Sequence, residues 1–434
     1  MKKSVNIGLI GLGTVGAGSV KILNDLAVQI KDKVGVPINL KRIVTKDTSK
    51  AKGIKYDKRI VSKNVDDILN DPEIDIVVEL IGGYEPARTM IINALNKGKH
   101  VVTANKAVMA KYWHEIHDTA RKNNVLVYFE ASVGGAIPII QGINEGLSAN
   151  KINAIYGILN GTTNYILTKM LKDKLLFSEA LKGAQKKGFA EADPTMDVKG
   201  IDAAHKLVIL SSLALGVEVK LSDVYCEGID ELDLNDVKYA NDEFGLVVKL
   251  LGIMKRAKNG VELRVHPTLI PESHLLASVQ NEFNAVYVNA DAAGKTMFYG
   301  KGAGMMPAAS AVVSDIIYVA RHVANETAGK LPLVKHLAGK KVALAKMDDV
   351  ESKYYLRFTV IDEPGVFAKI AGILGKNKVS IESCIQKKSD TKVVPLIIIT
   401  HLAKEKNIKK ALKNIDHLLT TRKKSILLRI EDKL

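Results

Sequence analysis

The chain has 434 residues, 47% of them hydrophobic, which is enough apolar material for a sizeable core shared among two or three domains. Its net charge is +16, yet the lysines are scattered among acids and only 5% of residues are aromatic, so the excess reads as surface bias and no nucleic-acid partner is expected. Cys226 and Cys384 lie far apart without metal-ligand spacing, and no apolar run reaches the roughly 18 residues of a membrane span; a cytoplasmic protein without disulfides or membrane contact is expected, its cysteines serving as small core residues.

From Val5 onward, apolar strands alternate with helix-like segments. "VNIGLI" reads as the first strand: two lysines precede it, but glycines interrupt the apolar run and no A-x-A cleavage site follows, so a strand is expected here in place of a signal peptide. A helix is expected from about Val15 to Lys31, then the strands "INLKRIVT" and "DIVVELI", a helix near Ala87 to Lys97, and the strands "HVVTAN" and "VLVYFEA". That alternation predicts an α/β domain over 1–137 with a Rossmann-type doubly wound parallel sheet. Continuous runs such as "DIVVELI" fit strands covered on both faces.

"GLGTVG", Gly11 to Gly16, follows a strand and opens a helix, the context in which such a loop binds a dinucleotide. Gly11 permits the tight turn, Gly13 lets backbone approach the pyrophosphate, and Gly16 allows close helix packing, while the helix N-terminus offers free N–H groups to the anion. After the second strand an NAD site would place an acid on the ribose 2′-hydroxyl; here the strand ends Val44, Thr45, Lys46, with Asp47 only afterwards. Lys46 points to a 2′-phosphate and therefore to NADP. Asp47, or a different register, is the alternative that would serve NAD.

Beyond "GGAIPIIQGINEGL" the rhythm lengthens into an α+β region, 138–304. It includes "AEADPTMDVKGIDAAHKL", where Glu191, Asp193, Asp197 and Asp202 crowd together ahead of Lys206 and a helical apolar stretch. A helix at about 305–335, opened by "GKGAG", would return to the first domain, with Met305 and Met306 as packing residues. Residues 336–353 read as a linker. From 354 to 434 the order is strand, helix, strand, strand, helix, strand, the ferredoxin-like arrangement.

"GLGTVG", "ELIGG" (79–83), "VVTANKA" (101–107), "EASVGGAIPI" (130–139), "GILNGTTNYIL" (157–167) and "GFAEADPTMDVKGIDAAHK" (188–206) together resemble the homoserine dehydrogenase family over nearly the whole chain, and "FTVIDEPGVFAKIAGIL" resembles an ACT domain. The resemblance implies a monofunctional enzyme that interconverts L-aspartate 4-semialdehyde and L-homoserine with NADP or NAD. It also implies that 138–304 binds substrate and dimerises, a C-terminal regulatory module with L-threonine as effector, and a homodimer or homotetramer. Another amino-acid or semialdehyde dehydrogenase on this scaffold, or a catalytically silent ligand sensor, are the competing readings.

Hydride addition to an aldehyde carbon builds negative charge on oxygen, so a proton donor is required, and Lys206 is the candidate. Asp202, four residues earlier, shares its helix face; a surface salt bridge is the plain alternative. The family pattern places Asp202 and Lys106 in the pocket and gives Glu191 the substrate's ammonium group. It assigns Thr14, Val15, Thr103, Lys106, Gly188 and Gly302 to the cofactor, alongside the glycines and Lys46. It also assigns Glu130 and the carbonyls of Val133, Gly135 and Ile137 to a monovalent cation, commonly sodium, whose hard-ion preference suits oxygen ligands. Asp193 and Asp197 are read as structural. His205 is set aside as the acid because adjacent helical residues point apart, and His114 and His117 are read as surface residues.

Overall fold

Helices must cover both faces of the first sheet, because every residue of its opening strand β1 (Val5–Ile10) except Asn6 is buried. The computed structural model describes residues 2–330, 341–386 and 392–434. With β2 (Ile38–Val44), β3 (Val61–Ser62), β4 (Ile76–Glu79), β5 (His100–Thr103) and β6 (Val127–Tyr128), β1 forms an all-parallel sheet in the order β3-β2-β1-β4-β5-β6. The order reverses between β1 and β4, the crevice where such sheets take their ligands.

One departure from the expected helices lies here. The helix expected from Val15 to Lys31 is two, Thr14–Asp25 and Ala27–Val34, separated at Leu26 (φ −112°, ψ 19°). Val20 and Ile30 are both buried, but on a straight helix ten residues leave them about 80° out of phase. The break turns the second segment so that Ile30 and Val34 reach the same core. The returning helix spans Met305–Ala324 and packs on Thr14–Asp25, where a side chain at Gly18 would lie 2.9 Å from Ala309 Cβ. Residues 331–335 of its expected span, and 336–340 of the expected linker, lie outside the described residues.

The chain folds into two compact units. The first comprises Met1–Gly161, Asp202–Val224 and Glu282–Val342, and the second Thr162–Ile201, Tyr225–Asn281 and Ala343–Leu434. Within the first, β7 (Ile152–Ile158) pairs antiparallel with β11 (Phe283–Ala290), which pairs with β12 (Gly294–Lys301).

In the second unit, β9 (Leu246–Ala257) and β10 (Gly260–Pro271) form a long hairpin, with β8 (Tyr225–Cys226) against β10. The C-terminal module supplies β13 (Glu351–Ile361), the helix Val366–Lys376, β14 (Ile381–Gln386), β15 (Val393–Thr400), the two-residue β16 (Ala403–Lys404), the helix Glu405–Asp416 and β17 (Thr421–Ile430). Its sheet order is β17-β13-β15-β14, over a core that includes Leu356, Phe358, Ile370, Ile398 and Ile408. β17 also pairs with β10, Thr268 opposite Arg429, so the module continues the hairpin's sheet. Ion pairs cross that seam: buried Arg264 to Glu431, and the partly exposed pairs Arg429 to Glu227 at 2.9 Å and Arg357 to Asp236 at 2.5 Å.

Neither cysteine is a core residue. Both are exposed and free, Cys384 on the solvent-facing positions of β14. His117, expected at the surface, is buried against Trp113 with ring centroids 4.2 Å apart, whereas His114 stays half exposed. Met305 packs on the first core, while Met306 is exposed. Among the described residues, no helix is long and apolar enough to cross a membrane.

Candidate active site

The helix Ile201–Leu215 is apolar nearly all round and almost entirely buried, so any charge on it must find partners within the protein. Lys206 and Asp202 do so. Lys206 Nζ donates to Asp202 Oδ2 at 2.7 Å and to the carbonyl of Leu159 at 2.7 Å. Lys106, at the start of the helix Lys106–Lys111, donates to Asp202 Oδ1, and Asn160 Nδ2 donates to Oδ2 at 2.9 Å. The Asp202 side chain is 5% exposed, Lys206 11% and Lys106 42%. Burial alone would push the Asp202 pKa up, but the ammonium groups of Lys206 and Lys106 outweigh it and hold the carboxyl well below its ordinary range. The i, i+4 pair is therefore a buried ion cluster with one ammonium open to solvent, not a surface salt bridge. His205 turns aside, its Nε2 3.3 Å from Tyr84 Oη.

Two loops at the carboxyl ends of β4 and β5 hold Lys106 in place. Buried Glu79 accepts from Ile81 N–H at 2.8 Å and from Thr103 Oγ1 at 2.6 Å. Asn105 caps the helix of Lys106 through Val108 N–H and ties back to the carbonyl of Gly83 at 2.8 Å.

The glycine loop has the shape its sequence requires. Gly11 sits at φ +101°, and a side chain on Gly16 would lie 2.1 Å from Gly11 O. A side chain at Gly13 would meet nothing within 4 Å, leaving open space over the uncapped start of the helix Thr14–Asp25. Thr14 is exposed there and Val15 half-buried. Beyond β2, Asp47 is occupied locally, accepting Ser49 N–H at 2.8 Å and Ser49 Oγ at 2.6 Å, bonds that also lower its pKa. Lys46 beside it is exposed. The loop and the exposed lysine fit a phosphorylated dinucleotide. Gly302 lies against buried Asn284, 2.2 Å from where its own Cβ would stand.

Glu130 is 2% exposed and its oxygens accept Ile140 N–H at 2.8 Å and Gln141 N–H at 2.9 Å. Burial pushes its pKa up to about 7, those N–H groups opposing, and burial with the Glu130 charge raises Asp315 well above its usual value. Asp315 itself receives Glu130 N–H at 2.8 Å. Gly134 and Gly135 (φ +73° and +58°) bend the following loop, with Val133 and Ile137 buried; the Ile137 carbonyl accepts Ile139 N–H at 2.8 Å. A buried carboxylate is the kind of hard oxygen ligand that a monovalent cation takes.

In the second unit, Gly188 (φ +73°) and Glu191 are exposed between the helices Phe177–Lys186 and Thr195–Val198. Asp193 closes the turn before Pro194, accepting Thr195 N–H at 3.1 Å, while Asp197 is half-buried in the short helix that follows.

Residues 138–317 match the homoserine dehydrogenase family, residues 11–130 its NAD binding domain, and residues 354–418 the ACT domain. The homoserine dehydrogenase of Neisseria gonorrhoeae is 46% identical over 435 residues, 99% of each chain, and that of Bacillus subtilis 40% identical over 99% of each. The chain belongs to the homoserine dehydrogenase family. It is an oxidoreductase with a nicotinamide-cofactor domain and a C-terminal ACT domain. The crystal structure of a homoserine dehydrogenase from Thiobacillus denitrificans superposes with a TM-score of 0.93 at 45% identity over 99% of each chain. A hyperthermophilic archaeal homoserine dehydrogenase mutant, solved in complex with NADPH, covers 73% of this chain at 26% identity and TM-score 0.61, with 97% of its own length matched.

Asn160, the Leu159 carbonyl and Asp315 were not singled out in the sequence. Asn160 and Leu159 sit inside "GILNGTTNYIL", a stretch whose match to the family could have flagged them.

Proposed function

We propose that this homoserine dehydrogenase reduces L-aspartate 4-semialdehyde to L-homoserine, with Lys206 as proton donor. The observation that carries the reading is the buried cluster in which Asp202 holds the ammonium groups of Lys206 and Lys106. A bound nicotinamide cofactor supplies the hydride. The protein supplies the rest: Lys206 stabilises the developing alkoxide and gives it a proton, and Asp202 keeps that ammonium oriented within a site from which most water is excluded. Lys106, the more exposed cation, reaches outward to substrate or cofactor. Glu191 takes the substrate's ammonium group.

NADP is the preferred cofactor in this reading, supported by exposed Lys46 and by the commitment of Asp47 to Ser49. Gly11, Gly13, Thr14, Val15 and Gly16 hold its pyrophosphate side, and Thr103, Lys106, Gly188 and Gly302 complete the cofactor contacts. Sodium at Glu130, Val133, Gly135 and Ile137 is structural. The ACT domain binds L-threonine and inhibits, in a homodimer or homotetramer; among the described residues β14 pairs only with β15, which leaves one sheet edge for a second copy. The deciding assay follows oxidation of NADPH and NADH with L-aspartate 4-semialdehyde. A folded sample that consumes neither would end the reading.

A further inference from the structure

Asp202 Oδ2 accepts twice: it receives the Lys206 ammonium at 2.7 Å and the amide of Asn160 at 2.9 Å. Nothing in the catalytic scheme above requires that amide. Its placement is nevertheless tightly determined. Asn160 is 5% exposed and lies two residues past the end of β7, and the next residue must be glycine, because a side chain at Gly161 would lie 2.6 Å from Glu282 O. The preceding residue, Leu159, offers its carbonyl to Lys206. One turn of backbone thus presents an acceptor to the lysine and a donor to the lysine's counter-ion.

We propose that Asn160 is a positioning residue that sets the acidity of Lys206 through Asp202, an inference that rests on Lys206 being the proton donor. In the reduction, an N–H bond of the Lys206 ammonium breaks, an O–H bond forms on the alkoxide, and a neutral amine remains. The stronger the grip of Asp202 Oδ2 on the ammonium, the harder that step. The Asn160 N–H draws electron density from the same oxygen and weakens the grip, while fixing the carboxylate so that Oδ1 faces Lys106. The second effect keeps the ion cluster in one arrangement. The first makes the ammonium a better acid.

The test is the pH dependence of kcat in both directions, for Asn160→Ala and the near-isosteric Asn160→Asp, with the Lys206→Ala enzyme as control. Losing one neutral hydrogen bond should move the Lys206 limb of the wild-type profile to higher pH by about half a pH unit in Asn160→Ala. A second carboxyl beside Oδ2 should move it further in Asn160→Asp. Reduction near neutral pH should slow by up to about threefold in Asn160→Ala while KM for both substrates stays unchanged within error, because the amide acts on the transferred proton and not on binding. Folded variants that keep the wild-type limb overturn the inference, as does a set of variants, Asn160→Ser included, none of which folds. Lys206→Ala separates the two readings. If it retains turnover, the parent scheme fails; if it is inactive while the Asn160 variants titrate as wild type, only the role of Asn160 fails.

Discussion

Lys206 and Asp202, one helical turn apart, form a 2.7 Å ion pair with 11% and 5% of their side chains exposed. An ammonium so placed can act on substrate only where the cluster opens, and its loss should be felt in chemistry more than in cofactor binding. Lys206→Ala is expected to lower turnover by about 10²-fold or more, with cofactor Kd little changed. A mutant within about threefold of wild type would remove Lys206 from the mechanism. Glu191→Ala should chiefly raise KM for the amino-acid substrate, and an unchanged KM would end its ammonium-binding role.

Cofactor choice should turn on Lys46. It is exposed next to an Asp47 that spends its carboxylate on Ser49, so the cation is the group free to meet a 2′-phosphate. Lys46→Asp would repel that phosphate and accept from a 2′-hydroxyl, shifting the kcat/KM ratio from NADP toward NAD. Unaltered ratios would place the discrimination elsewhere.

The proposed sodium site at Glu130, Val133, Gly135 and Ile137 can be tested through stability. A cation that binds only the folded protein raises its stability by mass action, so Tm should rise with NaCl above the level reached in choline chloride at equal ionic strength. Glu130→Gln should abolish the difference between the salts. Equal Tm in both salts for the wild type would exclude the site.

Acid stability should carry the mark of His100. It is 9% exposed, its Nδ1 accepts Leu126 N–H at 3.0 Å, and burial lowers its pKa to about 4. A histidine depressed in the folded state binds fewer protons folded than unfolded. Its contribution is therefore intact above pH 6.5, the ordinary value, and is lost as pH falls toward 4, by about 3 kcal/mol at most. Chemical denaturation of wild type and His100→Gln should show a steeper loss for the wild type across that window. Parallel curves would deny the residue this role.

Much of this architecture was legible because it is periodic and local. The strands of the parallel sheet, the glycine loop and the strand-helix order of the C-terminal module follow from alternating runs and turn residues, and the i, i+4 spacing put Asp202 and Lys206 on one face. What escaped depends on distance along the chain. Asp315 meets Glu130 from 185 residues away, and β17 meets β10 across a seam whose ionic residues, Arg264 and Glu431, stand 167 apart. The Leu26 break is set by the core that Ile30 must reach, not by any helix-breaking residue. Cys384 is exposed because it falls on the solvent-facing side of β14 with Glu382 and Gln386, a facing that depends on where the strand docks in the sheet.

That seam changes how threonine regulation can be tested. Removing the ACT domain from Ser352 onward looks harmless on the sequence, yet it would strip β10 of β17 and leave Arg264, 1% exposed, without Glu431, and Asp236, fully buried, without Arg357 and Tyr355. Arg264 would keep Glu262 at 2.9 Å, but Asp236 would lose its partners, a loss of up to about 3–5 kcal/mol where it stays buried, so truncation should destabilise the second unit and lower activity for reasons unrelated to threonine. A point change in the "DEPGV" loop is the cleaner probe. Gly365 holds φ +86° ahead of the helix Val366–Lys376, whose start carries no side-chain cap, and alanine adopts that conformation only with strain. Nothing lies within 4 Å of the added Cβ, so Gly365→Ala should fold, with a modest loss of stability. If threonine binds there through its carboxylate, calorimetry at millimolar ligand should show binding to the wild type, weakened in the variant, and inhibition should weaken by the same factor, because a ligand shifts only states for which its affinity differs. A wild-type protein that takes up no threonine under these conditions would leave the domain an assembly module, joined to the β9–β10 hairpin but silent to this ligand.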